Sequence, residues 1–152
     1  MPLLFTVIKY VHILAAIVAV GFNISYAIWI TRAQNDSAHL DFALRGVKFL
    51  DDYIANPAYI LLLLSGLGMV YVAGYRLTQF WLWGALVLWG VAMIMGYGFY
   101  TPTLRQQIKT LAASGAASAE YRRVSNRGTA LGITLGVIVA LILALMVFKP
   151  TL

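Results

Sequence analysis

The 152-residue chain contains no cysteine. That excludes disulfides, thiolate nucleophiles and iron–sulfur clusters, and it removes the usual ligands of a structural zinc site. Charge is nearly as scarce. Eleven basic and five acidic residues make up 11% of the chain, against 62% hydrophobic residues, and the mean hydropathy is +0.85. So few polar residues cannot cover a water-soluble domain of this size, so lipid must solvate much of the surface. There is no glycine-rich phosphate loop, no carboxylate pair inside an apolar run, no metal-spacing cluster and no nucleophile with a base beside it. Catalytic residues are therefore not assigned. The net charge of +6 reads as a topological signal and not as a nucleic-acid footprint, because the basic residues lie in the loops between apolar runs.

Four apolar runs remain, at about 4–31, 55–74, 79–100 and 128–148, each near or above the ~20 residues needed to cross a bilayer. Runs without period-two alternation select helices over a barrel. The expected fold is all-α: one polytopic membrane domain, a four-helix bundle with cytoplasmic helical extensions. A cleaved leader does not fit the first run, which lacks a basic n-region, is too long and is followed by Arg32.

Eight basic residues (Arg32, Arg45, Lys48, Arg105, Lys109, Arg122, Arg123, Arg127) fall in the two longer loops, and Lys9, Arg76 and Lys149 lie on the other side. The positive-inside rule then puts both termini outside, in the cytoplasmic (inner) membrane of a bacterium. Tyr75, Phe80, Trp81 and Trp83 fall in the outer aromatic belt, and Trp29, Tyr53, Tyr97 and Tyr100 nearer the inner one. In "SAHLDFALRGVKFLDDYI", Leu40, Leu44, Val47, Leu50 and Ile54 recur at helical spacing. This predicts an amphipathic helix interrupted near Asn56-Pro57, with Asp51 and Asp52 on a solvated face. "TLRQQIKTLAA" extends the third helix, and Ser118 caps a fourth with Glu120 in its first turn.

Two patterns bear on packing. Gly128, Gly132, Gly136, Ala140 and Ala144 are spaced by four, which lets helix backbones approach closely, either within the chain or in a homodimer. On the first helix, Lys9, His12, Ala16, Ala19, Asn23 and Ala27 share a face, so His12 looks onto small side chains.

Hydrocarbon tolerates Lys9 and His12 poorly; Lys9 can snorkel to the outer interface, whereas His12 is an intramembrane ionisable group and so by default a functional candidate. Met69 and Met146 fall at about its depth, and Lys9 and Arg76 lie at the same end. An imidazole in a bundle is a natural axial ligand of b-type haem, Met69 or His12 of a second copy could supply the sixth ligand, and Lys9 and Arg76 suit the propionates. The other reading has His12 bonded to Asn23, a carbonyl or a Tyr across a helix interface. It goes with a cofactor-free accessory or scaffold protein that assembles through the 128–144 stripe. His39, in the inner loop, is too far away to serve the same iron.

The pattern K-x-x-H-I with Gly21 resembles the first helix of the HemJ-type protoporphyrinogen oxidases and of CopD-like membrane proteins. That resemblance implies a haem-ligating role for His12. Residues 80–100 contain no Lys and depart from those oxidases there, so haem binding is what carries over. "NPAYILLLLSGLGMVY", "YTPTLRQQ" and "YRRVSNRGTALG" resemble, over nearly the whole chain, a bacterial family of predicted integral membrane proteins without assigned activity.

Overall fold

The computed structural model describes residues 2–36 and 38–150. Four helices, α1 (Pro2–Gln34), α2 (Leu40–Ala73), α3 (Phe80–Ser114) and α4 (Ala119–Phe148), are each long and apolar enough to cross a membrane. No strand occurs among the described residues. The four spans and their helical extensions thus match the sequence reading, except that the extension before Asn56-Pro57 is continuous with the second span.

That continuity has a local cause. Pro57 and Pro102 lack an N–H, and in an unbroken α-helix each ring would strike the carbonyl four residues earlier. Both helices widen by one turn just before the proline, into π turns at Asp51–Ala55 and Gly96–Tyr100. The N–H of Asn56 reaches back to the Asp51 carbonyl, and that of Thr101 to Gly96. The break expected at Asn56-Pro57 is therefore a widening, and it alters which residues face inward. Leu40, Leu44, Val47, Asp51 and Ala55 are buried, while Ile54 is exposed.

The helix ends follow ordinary chemistry. Gly74 closes α2 with a positive φ of 67°, a conformation glycine takes without a Cβ clash. Ser118 caps α4 as expected, its Oγ accepting the Tyr121 N–H at 3.1 Å.

Helix α1 packs against α2, and α3 against α4. The hairpins join most closely at the end away from the chain termini, where the first part of α2 meets the last part of α3. There Leu40, Leu44 and Leu104 are sealed beside Tyr26, Val47, Tyr121 and Leu135. At the other end Lys149 places its ammonium 5.2 Å from the Trp81 ring centroid and 5.7 Å from that of Tyr75. Large apolar side chains such as Ile17, Ile24, Leu64 and Ile133 cover the outside, as lipid contact requires.

The small-residue stripe of α4 packs within the chain over part of its length. A Cβ on Gly128 would meet Gln107 at 3.4 Å and Thr103 at 3.7 Å, and one on Gly132 would meet Tyr100 at 3.7 Å. Nothing lies within 4 Å of the Cβ position of Gly136, and Ala140 is exposed. On α1 the buried face runs through Ala15, Ala19 and Tyr26; Ala16 is half-buried and Ala27 exposed.

Candidate functional site

The half-buried His12 is held by α2. Its Nδ1 lies 2.9 Å from Ser65 Oγ. That hydroxyl lies 2.6 Å from the carbonyl of Leu61, one turn back on its own helix, and gives its single proton there. Ser65 is thus left to accept, which assigns the His12 proton to Nδ1 and leaves a lone pair on Nε2. Gly66 makes room for the ring: a Cβ there would stand 3.3 Å from His12 Cε1. One turn toward the N-terminus, Ile8 fits against Gly68 in the same way.

No side-chain hydrogen bond is described for Nε2, and the Leu62 carbonyl is the backbone acceptor beside the ring. An imidazole fixed through one nitrogen and unengaged at the other is the arrangement that metal-ligating histidines adopt. Met69 follows Ser65 by four residues and so lies one turn along the same face of α2, half-buried. Lys9 is one turn before His12 and exposed, and Arg76 is exposed in the connection after Gly74. The structure therefore joins His12 to Ser65 and Gly66, a pairing that sequence spacing did not single out. Met69, Lys9 and Arg76 lie toward the same end without a described hydrogen bond to His12. His39 bonds Asp36 at 2.6 Å in the inner connection, and that contact holds the Asp36 carboxyl below the usual carboxylate range.

A second polar site, which the sequence reading did not identify, lies deeper in the bundle at the level of the two π turns. Asn23 donates to the Tyr59 hydroxyl and, at 2.9 Å, to the carbonyl of Ala19. Thr101 donates to Asp51 Oδ2 at 2.9 Å, linking the start of one π turn to the end of the other. Trp89 donates to the Tyr59 carbonyl at 3.2 Å. Between these groups is a chamber of about 30 Å³ lined by Asn23, Tyr26, Asp51, Tyr59, Tyr97 and Tyr100, among others. Asp51 is thus not on a solvated face; it is 6% exposed. The Tyr26 hydroxyl is buried and has no hydrogen-bond partner among the described residues.

A wider crevice of about 350 Å³ between α1 and α4 shares Asn23, Tyr26 and Tyr100 with the chamber and is walled by Gly128, Gly132 and Gly136. Among the described residues no group of three or more His, Asp or Glu side chains stands close enough together to hold a metal ion.

Comparison with curated proteins and with solved structures returned no match. A family model did match, covering residues 6–150, nearly the whole chain. The chain belongs to that family, described as predicted integral membrane protein (DUF2269).

Proposed function

We propose that the protein binds b-type haem near the outer end of the bundle, through Nε2 of His12, for electron transfer or haem handling. The observation that carries the reading is the fixed Nδ1 and unengaged Nε2 of His12 in a membrane-spanning helix. A polar nitrogen without a partner is costly in hydrocarbon, and a bound iron would remove that cost. When bound, haem supplies one-electron chemistry that none of this chain's side chains offers. The chain's own part is to orient the imidazole through Ser65 and Gly66 and to set the polarity around it. Lys9 and Arg76 are the cations available to propionates at that end. Met69, one turn beyond Ser65, or His12 of a second copy would complete the coordination.

In this reading both termini face outward from a bacterial cytoplasmic membrane. If the protein pairs, the free part of the α4 stripe at Gly136 and Ala140 is the face for a second copy, since Gly128 and Gly132 are already packed.

Absorption spectroscopy tests the proposal. Protein purified in detergent from haem-supplied cells is expected to show a Soret band that His12→Ala abolishes and His39→Ala leaves intact. Met69→Leu shifts the spectrum toward high spin if Met69 is the sixth ligand. Colourless wild-type protein would overturn the haem reading.

A further inference from the structure

The inner chamber poses a charge problem. Of the five acidic residues, Asp36, Asp41 and Asp52 pair with His39, Arg45 and Lys48 respectively, and Glu120 is exposed beside Ser114. Asp51 is met by two neutral side chains, Thr101 and Asn56, but it has no ion pair among the described residues and is only 6% exposed. Its neighbour Asp52 already takes up the charge of Lys48. The cluster at the first π turn therefore carries one more negative than positive charge, in a place where an uncompensated charge is not tolerated.

The lining answers with oxygen. Both amide hydrogens of Asn23 are committed, to Ala19 and Tyr59, so what Asn23 has left to offer is the acceptor oxygen Oδ1. The Tyr26 hydroxyl, on a residue that is 5% exposed, faces the chamber without a partner. Rings of Tyr59, Tyr97 and Tyr100 complete the wall, and aromatic faces attract cations. We propose that this chamber binds a single small monovalent cation, an alkali ion or a proton, against the Asp51 carboxylate, with oxygens of Asn23 and Tyr26 as further partners.

Size and charge limit the occupant. A water needs about 10–15 Å³ of such space, so about 30 Å³ takes two or three water-sized bodies and is too small for an organic ammonium ion. A divalent ion gathers six or more oxygens and several waters, which neither one carboxylate nor this volume can supply. The neighbouring crevice, which shares Asn23, Tyr26 and Tyr100, is a route inward between α1 and α4. Charged and titratable groups facing Asp51 are Asp52, Lys48 and Tyr59 from α2, Tyr26 from α1 and Tyr97 and Tyr100 from α3. The site lies roughly 20 Å along α1 from His12, at 1.5 Å per residue, and does not depend on what His12 binds.

The test uses the full-length protein in detergent micelles. Thermal unfolding is followed by circular dichroism in Na⁺, Li⁺ or K⁺ chloride and in N-methylglucamine chloride, at equal ionic strength and pH. In parallel, infrared spectra over a pH series look for the carbonyl stretch of a protonated carboxylic acid. An alkali-ion site shows as a saturable rise in melting temperature that the organic cation does not reproduce. That rise should be lost in Asp51→Asn and need about tenfold or more higher salt in Tyr26→Phe. A proton site shows as a carboxylic acid band near neutral pH that disappears in Asp51→Asn. Both wild-type measurements stand even if a variant fails to fold. An ionised Asp51 with no alkali-specific stabilisation overturns the proposal, as does an alkali effect that survives in Asp51→Asn.

Discussion

Replacing Ser65 with alanine separates a histidine that merely bridges two helices from one held ready for a metal. The change deletes the hydroxyl 2.9 Å from His12 Nδ1 while leaving the backbone and the Gly66 notch in place. Hydrogen bonds between membrane helices contribute about 0.6 kcal/mol on average and up to about 1.7 kcal/mol. Ser65 also loses its bond back to Leu61, an intrahelical contact of little net value. The expected loss of stability in a detergent unfolding titration is therefore about 0.6–1.7 kcal/mol. A double-mutant cycle with His12→Ala should recover most of it as coupling between the two side chains. Haem affinity responds more strongly. Losing the partner that orients a metal-bound histidine typically costs 10–100-fold, or about 1.4–2.7 kcal/mol. Haem titration followed at the Soret band reads this directly. If Ser65→Ala is destabilised as expected but binds haem as tightly as wild type, Ser65 does not position an iron ligand. No coupling in the cycle would refute the hydrogen bond itself.

Further expectations concern packing, the inner chamber and topology. Gly128→Leu should destabilise the fold by about 1–3 kcal/mol, since its Cβ alone would stand 3.4 Å from Gln107 and 3.7 Å from Thr103. Gly136→Leu should leave the monomer's melting temperature nearly unchanged, because its Cβ position is open, and a shift in elution volume would identify a dimer face. Thr101→Val removes the donor to Asp51 and should cost about 1–3 kcal/mol in chemical unfolding, the penalty for a buried acceptor left unmade; a neutral outcome would mean that Asp51 is satisfied from elsewhere. A reporter active only in the cytoplasm and fused to the C-terminus should be silent, as the eight-to-three distribution of basic residues requires. Activity would invert the topology.

How much of this was legible depended on whether a residue's surroundings were local. The four spans could be read because apolar length is a property of the chain itself. His12 stood out because an imidazole in an apolar run is conspicuous wherever its partner lies. Its partner did not, since Ser65 is one of several small polar residues and only the pairing of α1 with α2 selects it. Asp51 was hidden for a different reason. Beside Asp52, on an amphipathic stretch rich in charges, it has the sequence context of a solvated residue. Its burial comes from the wide turn that brings it inward and from Thr101, fifty positions away. Tyr26 was equally silent, because nothing in the sequence distinguishes a tyrosine with an unmet hydroxyl from an ordinary one. Pro57 was visible, but as the start of a new helix, when its effect is to widen a helix that continues.

Those wide turns also act as phase shifters. An α-helix advances about 100° per residue, and each π turn absorbs one residue more than an α turn. The two halves of α2 are therefore registered independently: the outer half by His12 and Asn23, the inner half by the seat of Leu40, Leu44 and Val47. Forcing Asp51–Ala55 into α geometry at constant length would swing the inner half by about 100° about its axis, carrying those three side chains out of the core. Deleting one residue inside the turn would keep both faces in register. The number of residues between Leu50 and Asn56 thus sets the register between the two halves of α2.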